Sequence, residues 1–203
     1  MSTTLDPSEI LLGLNNGPGI YLAPAGTAPP DDVTTAWATP WEPLGYLSDD
    51  GVTLGSSTSS DTLTPWQSTA PIRTVITGKE LTLQFVMWQT NAQSMALWFD
   101  VTKPADPTPP AALEFDVRSD QGGQLYSVGL DIQDQGLITR VVFPRAQLSD
   151  TGDVTIARGS AIGWDVTLSA LDDSGVLAHI MQGTGGAGLL EAPVEAPVEE
   201  PAA

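Results

Sequence analysis

Apolar residues recur at every second position through much of this chain, the spacing of half-buried β-strands. The purest case is Ile162–Ala170: Ile162, Trp164, Val166, Leu168 and Ala170 share one face, and Gly163, Asp165, Thr167 and Ser169 share the other. A second row holds Leu81, Leu83, Phe85 and Met87. Its opposite row, Thr82, Gln84, Val86 and Trp88, is only half polar, as expected of a strand covered on both faces. That row closes a longer stretch from Ile72, which reads as two strands or one bent strand with Gly78 as a bulge or turn. Shorter strands are expected at Ile20–Leu22, Glu42–Leu47 (Pro43 marking an edge), Leu113–Val117, Leu125–Ile132, Leu137–Phe143 ended by Pro144, Asp153–Ala157 and Val176–Met181. The period changes once. Ala92, Met95, Leu97, Trp98 and Phe99 form a helical stripe that Thr90 or Asn91 can cap, too short to stand without packing on the sheet.

The pattern predicts a mainly β domain over 20–181, a β-sandwich first and an open barrel second, with one short flanking α-helix. No βαβ rhythm of a parallel sheet is present. Three stretches fall outside it. Residues 1–19 read as an N-terminal arm, closed by the breaker cluster Asn15-Asn16-Gly17-Pro18-Gly19. Residues 182–203 read as a flexible glycine-rich hinge followed by an acidic tail that repeats E-A-P-V. Residues 56–70 read as a long polar loop, nearly uncharged, whose large apolar anchors are Leu63 and Trp66; loops of this length are functional or disordered.

Charge narrows the function. Twenty-five acids face seven bases, a formal net charge of -18, and the bases are scattered singly. Tight binding to a nucleic-acid backbone or an anionic membrane needs converging Lys and Arg, so both are disfavoured. Only 16% of residues are charged, against roughly 25% in a usual soluble domain, so hydroxyl and amide groups must cover much of the surface. The start, MSTTLDPSEILLGLNNG, has no basic n-region and is not read as a secretory signal; no apolar run approaches a bilayer span.

Candidate chemistry is sparse. The chain has no cysteine, which removes disulfides and thiolate metal sites, and one histidine, His179, expected at a sheet edge. The acid pairs Asp49-Asp50, Asp131 with Asp134, and Asp172-Asp173 lack the dense oxygen-ligand spacing of a calcium loop and are simpler as turn formers. The glycines from Gly183 to Gly188 precede no helix and have no lysine, so they are no phosphate loop. No catalytic, cofactor-binding or metal-binding residue is assigned. Of the six tryptophans, Trp88, Trp98 and Trp164 sit in apolar patterns and are expected in the core. Trp37, Trp41 and Trp66 fall near loops and suit protein contacts or a sugar platform.

Several segments together resemble the major tail protein (tail tube protein) of long-tailed, non-contractile bacteriophages, and most of all those of actinobacteriophages. They are G-I-Y-L-A-P-A-G-T-A from Gly19, W-E-P-L-G-Y-L-S-D-D-G-V from Trp41, T-P-W-Q-S-T from Thr64, R-T-V-I-T-G-K-E-L-T-L-Q-F from Arg73, F-P-R-A from Phe143, and the run from Thr151 to Leu168. The resemblance implies a β-sandwich subunit without catalytic residues that forms hexameric rings with itself. Such rings stack into a tube around the tape measure protein, bounded by tail terminator and distal tail or baseplate proteins. Double-stranded DNA passes through without specific binding, and assembly takes place in the host cytoplasm, away from membranes. It also implies that the loop at 52–71 stacks on the next ring, through Leu63 and Trp66. Trp41, Val86 and Trp88 are then candidate inter-subunit contacts, and Glu80, Asp116 and Asp165 candidate lumen acids. The alternative from the residues alone is a carbohydrate-binding or adhesive β-sandwich module; a capsid-decoration or distal tail protein is a nearer rival.

Overall fold

The computed structural model describes residues 12–13, 19–104, 113–134 and 136–184. The eight strands are β1 (Ile20–Pro24), β2 (Glu42–Pro43), β3 (Leu47–Leu63), β4 (Arg73–Met87), β5 (Leu125–Asp134), β6 (Leu137–Thr151), β7 (Trp164–Ala170) and β8 (His179–Thr184), with one helix, α1 (Ala92–Trp98), after β4. They form one antiparallel sheet in the order β2-β1-β5-β6-β7-β4-β3, and β8 pairs with β6.

The long strand β6 explains how one sheet encloses a core. Its first half pairs with β8 from Leu137 to Val142, and its second half pairs with β7 from Ala146 to Thr151, both on the side away from β5. Between the halves lies a register shift opposite Tyr126 and Val128, at Pro144 and Arg145. Proline has no N–H to give a ladder, and a bulge is where a strand tolerates it. Pro144 therefore does not end the strand, as expected from sequence; it marks where the strand bends. Its carbonyl accepts from Gly26 N and Ser127 Oγ, so the bulge leaves that group satisfied. Around this bend the two parts of the sheet share one core, in which Ile20 and Leu22 of β1 join Leu83, Phe85 and Met87 of β4 and Val166 and Leu168 of β7. The sandwich-like packing thus comes from one continuous sheet.

The rows of Leu81–Met87 and Ile162–Ala170 point as expected: Leu83, Phe85, Met87, Val166 and Leu168 are buried. The helix forms where the period changes. Asn91 caps it, its side chain accepting from Ser94 N while Ser94 Oγ accepts from Asn91 N, a reciprocal box. Ala96 and Leu97 are buried, which supplies the packing that so short a helix needs.

The sheet's other face is covered on one part only. Residues 25–41 form a strap across β1, β5, β6 and β8. Arg140, with a side chain 3% exposed, anchors it: Nε and Nη2 donate to both oxygens of Asp131 at 2.8 and 2.9 Å, and Nη1 donates to the carbonyls of Asp32 and Thr35 at 2.8 and 2.9 Å. Trp37 lies under the guanidinium, 4.3 Å from ring centroid to Cζ, and donates its indole N–H to Asp131. Tyr21 stacks on Trp37, and Trp41 packs beside it with Ala23 and Val142. A side chain at Gly129 would overlap the Trp37 ring, which is why glycine stands there.

Several expectations are corrected. Of Leu113–Val117, Leu113 and Phe115 are half-buried, with Phe115 edge-on to Phe99, but Val117 is 57% exposed and no strand among the described residues pairs with the segment. Asp153–Ala157 is likewise irregular, and Ile156 is 79% exposed. Gly183 and Thr184 are not hinge but the end of β8, paired with Ile138 and Leu137. Trp88 is not core, being 42% exposed, whereas Trp98 and Trp164 pack against it. The N-terminal arm (apart from Leu12, Gly13 and Gly19) and the tail from residue 185 lie outside the described residues.

Truncating Arg140 to Ala takes the cation from Asp131 and the donor from two strap carbonyls, and is expected to cost about 3–5 kcal/mol in urea unfolding. Asp32 is held ionised by hydrogen bonds from the Thr34 side chain and from the Thr35 and Thr34 backbone and hydroxyl groups, which lower its pKa from 3.8 to about 2. A lowered pKa stabilises the fold above the unfolded value and is lost as pH falls through the folded one. The difference in stability between Asp32→Asn and wild type is therefore expected to be full at neutral pH, to shrink below about pH 4 and to disappear only below about pH 2, followed by tryptophan fluorescence of the strap.

Candidate assembly surface

The stretch 52–71, expected as a loop, is mostly strand: β3 runs to Leu63, and its partner β4 starts at Arg73. The register continues from Val52↔Phe85 out to Leu63↔Arg73, with a shift between Ser59 and Ser60 that leaves Thr77 unpaired beside Gly78, the position expected to bulge. No apolar alternation signals β3 because its outer part buries neither face. Every residue from Ser56 to Glu80 is exposed apart from half-buried Pro65 and Gly78. Ser and Thr dominate its outer part, where backbone pairing and not burial holds the strand.

This hairpin is an arm. β7 covers β4 only over Thr82–Met87, so β4 from Arg73 to Leu81 pairs with β3 alone. Nine such residues extend the arm about 30 Å past the body. At its end, Ile72 N donates to Leu63 O at 2.9 Å and closes the turn. Leu63 is 60% exposed and Trp66 99%, joined by Ile72 at 67% and Ile76 at 69%. The last two were missed as site residues because they sit in a β-branched run that looks like core; their exposure follows from the missing third strand.

The part of the sheet that the strap leaves bare is the second feature. Strand parity places Thr53, Gly55 and Ser57 of β3, Glu80, Thr82, Gln84 and Val86 of β4, Asp165, Thr167 and Ser169 of β7, and Gln147 and Asp150 of β6 on the side away from the core. It is a carpet of hydroxyls and amides with three acids and no base; Arg145, at the β6 bulge, borders it. Glu80 accepts from Ser57 Oγ at 3.4 Å, and Asp165 accepts from Gln84 Nε2 at 3.5 Å. Of the three lumen-acid candidates, Glu80 and Asp165 share this face. Asp116 does not, lying in the irregular segment beside Arg118, 3.9 Å away. Asp150 was not singled out because the shift between Leu148 and Asp150 hides its parity.

The inter-subunit candidates separate. Trp41 is 7% exposed, its indole N–H donating to Ala28 O at 3.0 Å, so its side chain is spent inside the strap. Trp37 is held there too, so neither it nor Trp41 offers an open sugar platform, whereas Trp66 is exposed at the arm tip. Val86 is half-buried, close against Gly163. Trp88 is exposed, and its N–H donates to Tyr46 O at 2.9 Å; Tyr46 itself is 80% exposed.

Among the described residues no group of three or more His, Cys, Asp or Glu side chains is placed to hold a metal ion, and no helix is long and apolar enough to cross a membrane. His179 is exposed on β8. A shallow polar recess lined by Glu42, Pro43, Asn91, Gln93 and Lys103 is occupied by the Lys103–Glu42 ion pair at 2.6 Å.

Trp66→Ala is expected to leave unfolding free energy within about 0.5 kcal/mol of wild type, since the side chain touches almost nothing. Trp41→Ala is expected to cost about 3–5 kcal/mol as a buried aromatic truncation; parallel denaturant titrations compare them.

A family model described as "Phage tail tube protein" matches residues 3–183. No curated protein matches the chain. Among solved structures, a chain from "Virion of native gene transfer agent (GTA) particle" is similar at 9% identity and a TM-score of 0.42, covering 84% of this chain and 100% of that one.

Proposed function

This chain belongs to the phage tail tube protein family, a structural component of the virion, and on that premise we propose that it forms hexameric rings that stack into the tail tube. The rings enclose the tape measure protein during assembly in the host cytoplasm and meet a tail terminator at one end and distal tail or baseplate proteins at the other. Genomic DNA then passes through the lumen. The role is structural rather than catalytic.

The observation that carries this reading is the division of the sheet's outer surface. One part is sealed by the strap, while the other is broad, polar, carries Glu80, Asp150 and Asp165, and leads directly into the arm. A surface of fixed hydroxyls, amides and acids repels a phosphate backbone and gives it no cation to hold. We assign it to the lumen. The arm, with its uncovered apolar tip and unpaired backbone edges, suits contact with the next ring.

Negative-stain electron microscopy of concentrated protein tests the reading: hollow tubes of sixfold rings are expected, and a protein that stays monomeric at all concentrations overturns it. Replacing residues 57–80 by Asn-Gly joins the paired residues Ser56 and Leu81 through a short hairpin turn. That variant is expected to fold and yield no tubes. Exchanging Glu80, Asp150 and Asp165 for Lys is expected to give tubes that retain linear double-stranded DNA at low salt, while wild-type tubes do not.

A further inference from the structure

We infer that the arm tip of one copy seats on the exposed Tyr46–Trp88 pair of a second copy, an inference that rests on the tail-tube reading and names the surface the arm meets. Tyr46 and Trp88 follow directly on the register pair Leu47↔Met87, so they face each other on the same side of the hairpin's base. Tyr46, Trp66 and Trp88 are the exposed aromatics among the described residues. Two of them form one patch at the base, and the third stands at the tip.

Charge matches the two ends. Beside the aromatic pair, Asp49 and Asp50 are exposed in the irregular turn where β3 shifts register before Val52. At the tip, Arg73 closes the hairpin opposite Leu63 and has no ion-pair partner among the described residues. From residue 52 to 81 the acids Asp61 and Glu80 balance Arg73 and Lys79, so the remaining 23 acids and five bases carry the whole net charge of -18. The arm thus approaches an acidic neighbour without net repulsion.

Reach decides which copy is involved. β3 begins beside Tyr46 and ends at Leu63, and along its partner β4 the paired span runs from Met87 to Arg73, so tip and base stand about 45 Å apart. A paired strand does not fold back over that distance, and a tip that binds a base must bind another subunit's. Such a contact is head-to-tail: each copy keeps one free tip and one free base, and growth continues along an open axis instead of closing.

The experiment uses the full chain in three forms: wild type, Trp66→Ala, and Tyr46→Ala combined with Trp88→Ala. Each variant alone is expected to raise the critical concentration for tube growth about 30-fold, as for loss of one interface hot spot, with unchanged circular dichroism. Mixed after separate purification, they supply one intact tip and one intact base between them, and are expected to form complexes that stop at two layers. Arg73→Glu is expected to block growth, and adding Asp49→Lys and Asp50→Lys to it to restore growth. If the double aromatic variant fails to fold, Asp49→Lys with Asp50→Lys replaces it as the defective base. Variants that polymerise like wild type, or a mixture that elongates into full tubes, overturn the seat while the tail-tube reading stands. Wild-type protein that makes no tubes overturns both.

Discussion

The buried guanidinium of Arg140 decides which surface of this molecule is free. A cation with a side chain 3% exposed is tolerable only where it is paired and hydrogen-bonded. Here Asp131 takes two of the bonds, and two strap carbonyls, of Asp32 and Thr35, take the others. Those carbonyls hold the strap in place, Trp37 lies against the cation, and the aromatic stack of Tyr21, Trp37 and Trp41 covers one part of the sheet. The strap does not extend over β7, β4 and β3. The same bonds that close one surface therefore leave the polar, acidic one open, and the proposed lumen is what the strap does not cover.

The arm obeys the opposite logic. It has no core and no third strand, so its order comes from backbone pairing and from the β-branched Thr, Val and Ile residues of β4. Such a ribbon is marginal by itself. Here it grows from a base clamped between β7 and the core, where Leu83 and Phe85 are buried. The clamp fixes the arm's direction, and the weak outer part remains able to adapt to a neighbour. A more apolar arm would be firmer in the free subunit but would pair indiscriminately along its edges.

How much of this was legible in the sequence follows from what each signal measures. Alternation reports one-sided burial, so it located the rows of Leu83–Met87 and Val166–Leu168, which have a core on one side. It failed on β3, which has no buried side over most of its length, and misled at Leu113–Val117, where Val117 is exposed and no described strand stands alongside. The run Val141–Val142–Phe143 is buried on both faces, by core and by strap. The strap itself was invisible: its anchor is Arg140 meeting Asp32 and Thr35 more than a hundred positions away, and single scattered bases carry no pattern. Trp41 looked like a contact residue because it stands near a loop; only the fold shows that the loop lies down. The resemblance to tail proteins suggested a stacking role for the region 52–71, which stands as a proposal, and the structure supplied its form.

Acidity sets the remaining problem. Copies that each carry a formal charge of -18 repel one another, and the repulsion grows as they pack. Two features make the proposed assembly compatible with it. The overlapping part of each copy is the nearly neutral arm, so the closest approach between layers brings together little like charge. A ring presents several arms at once, so contacts that are individually weak engage at high effective concentration, and stacking needs no large apolar interface in the free subunit. The proposed seat at Tyr46 and Trp88 ends the row of Gln84 and Val86, so the acids farther along that face can remain where a phosphate backbone would meet them.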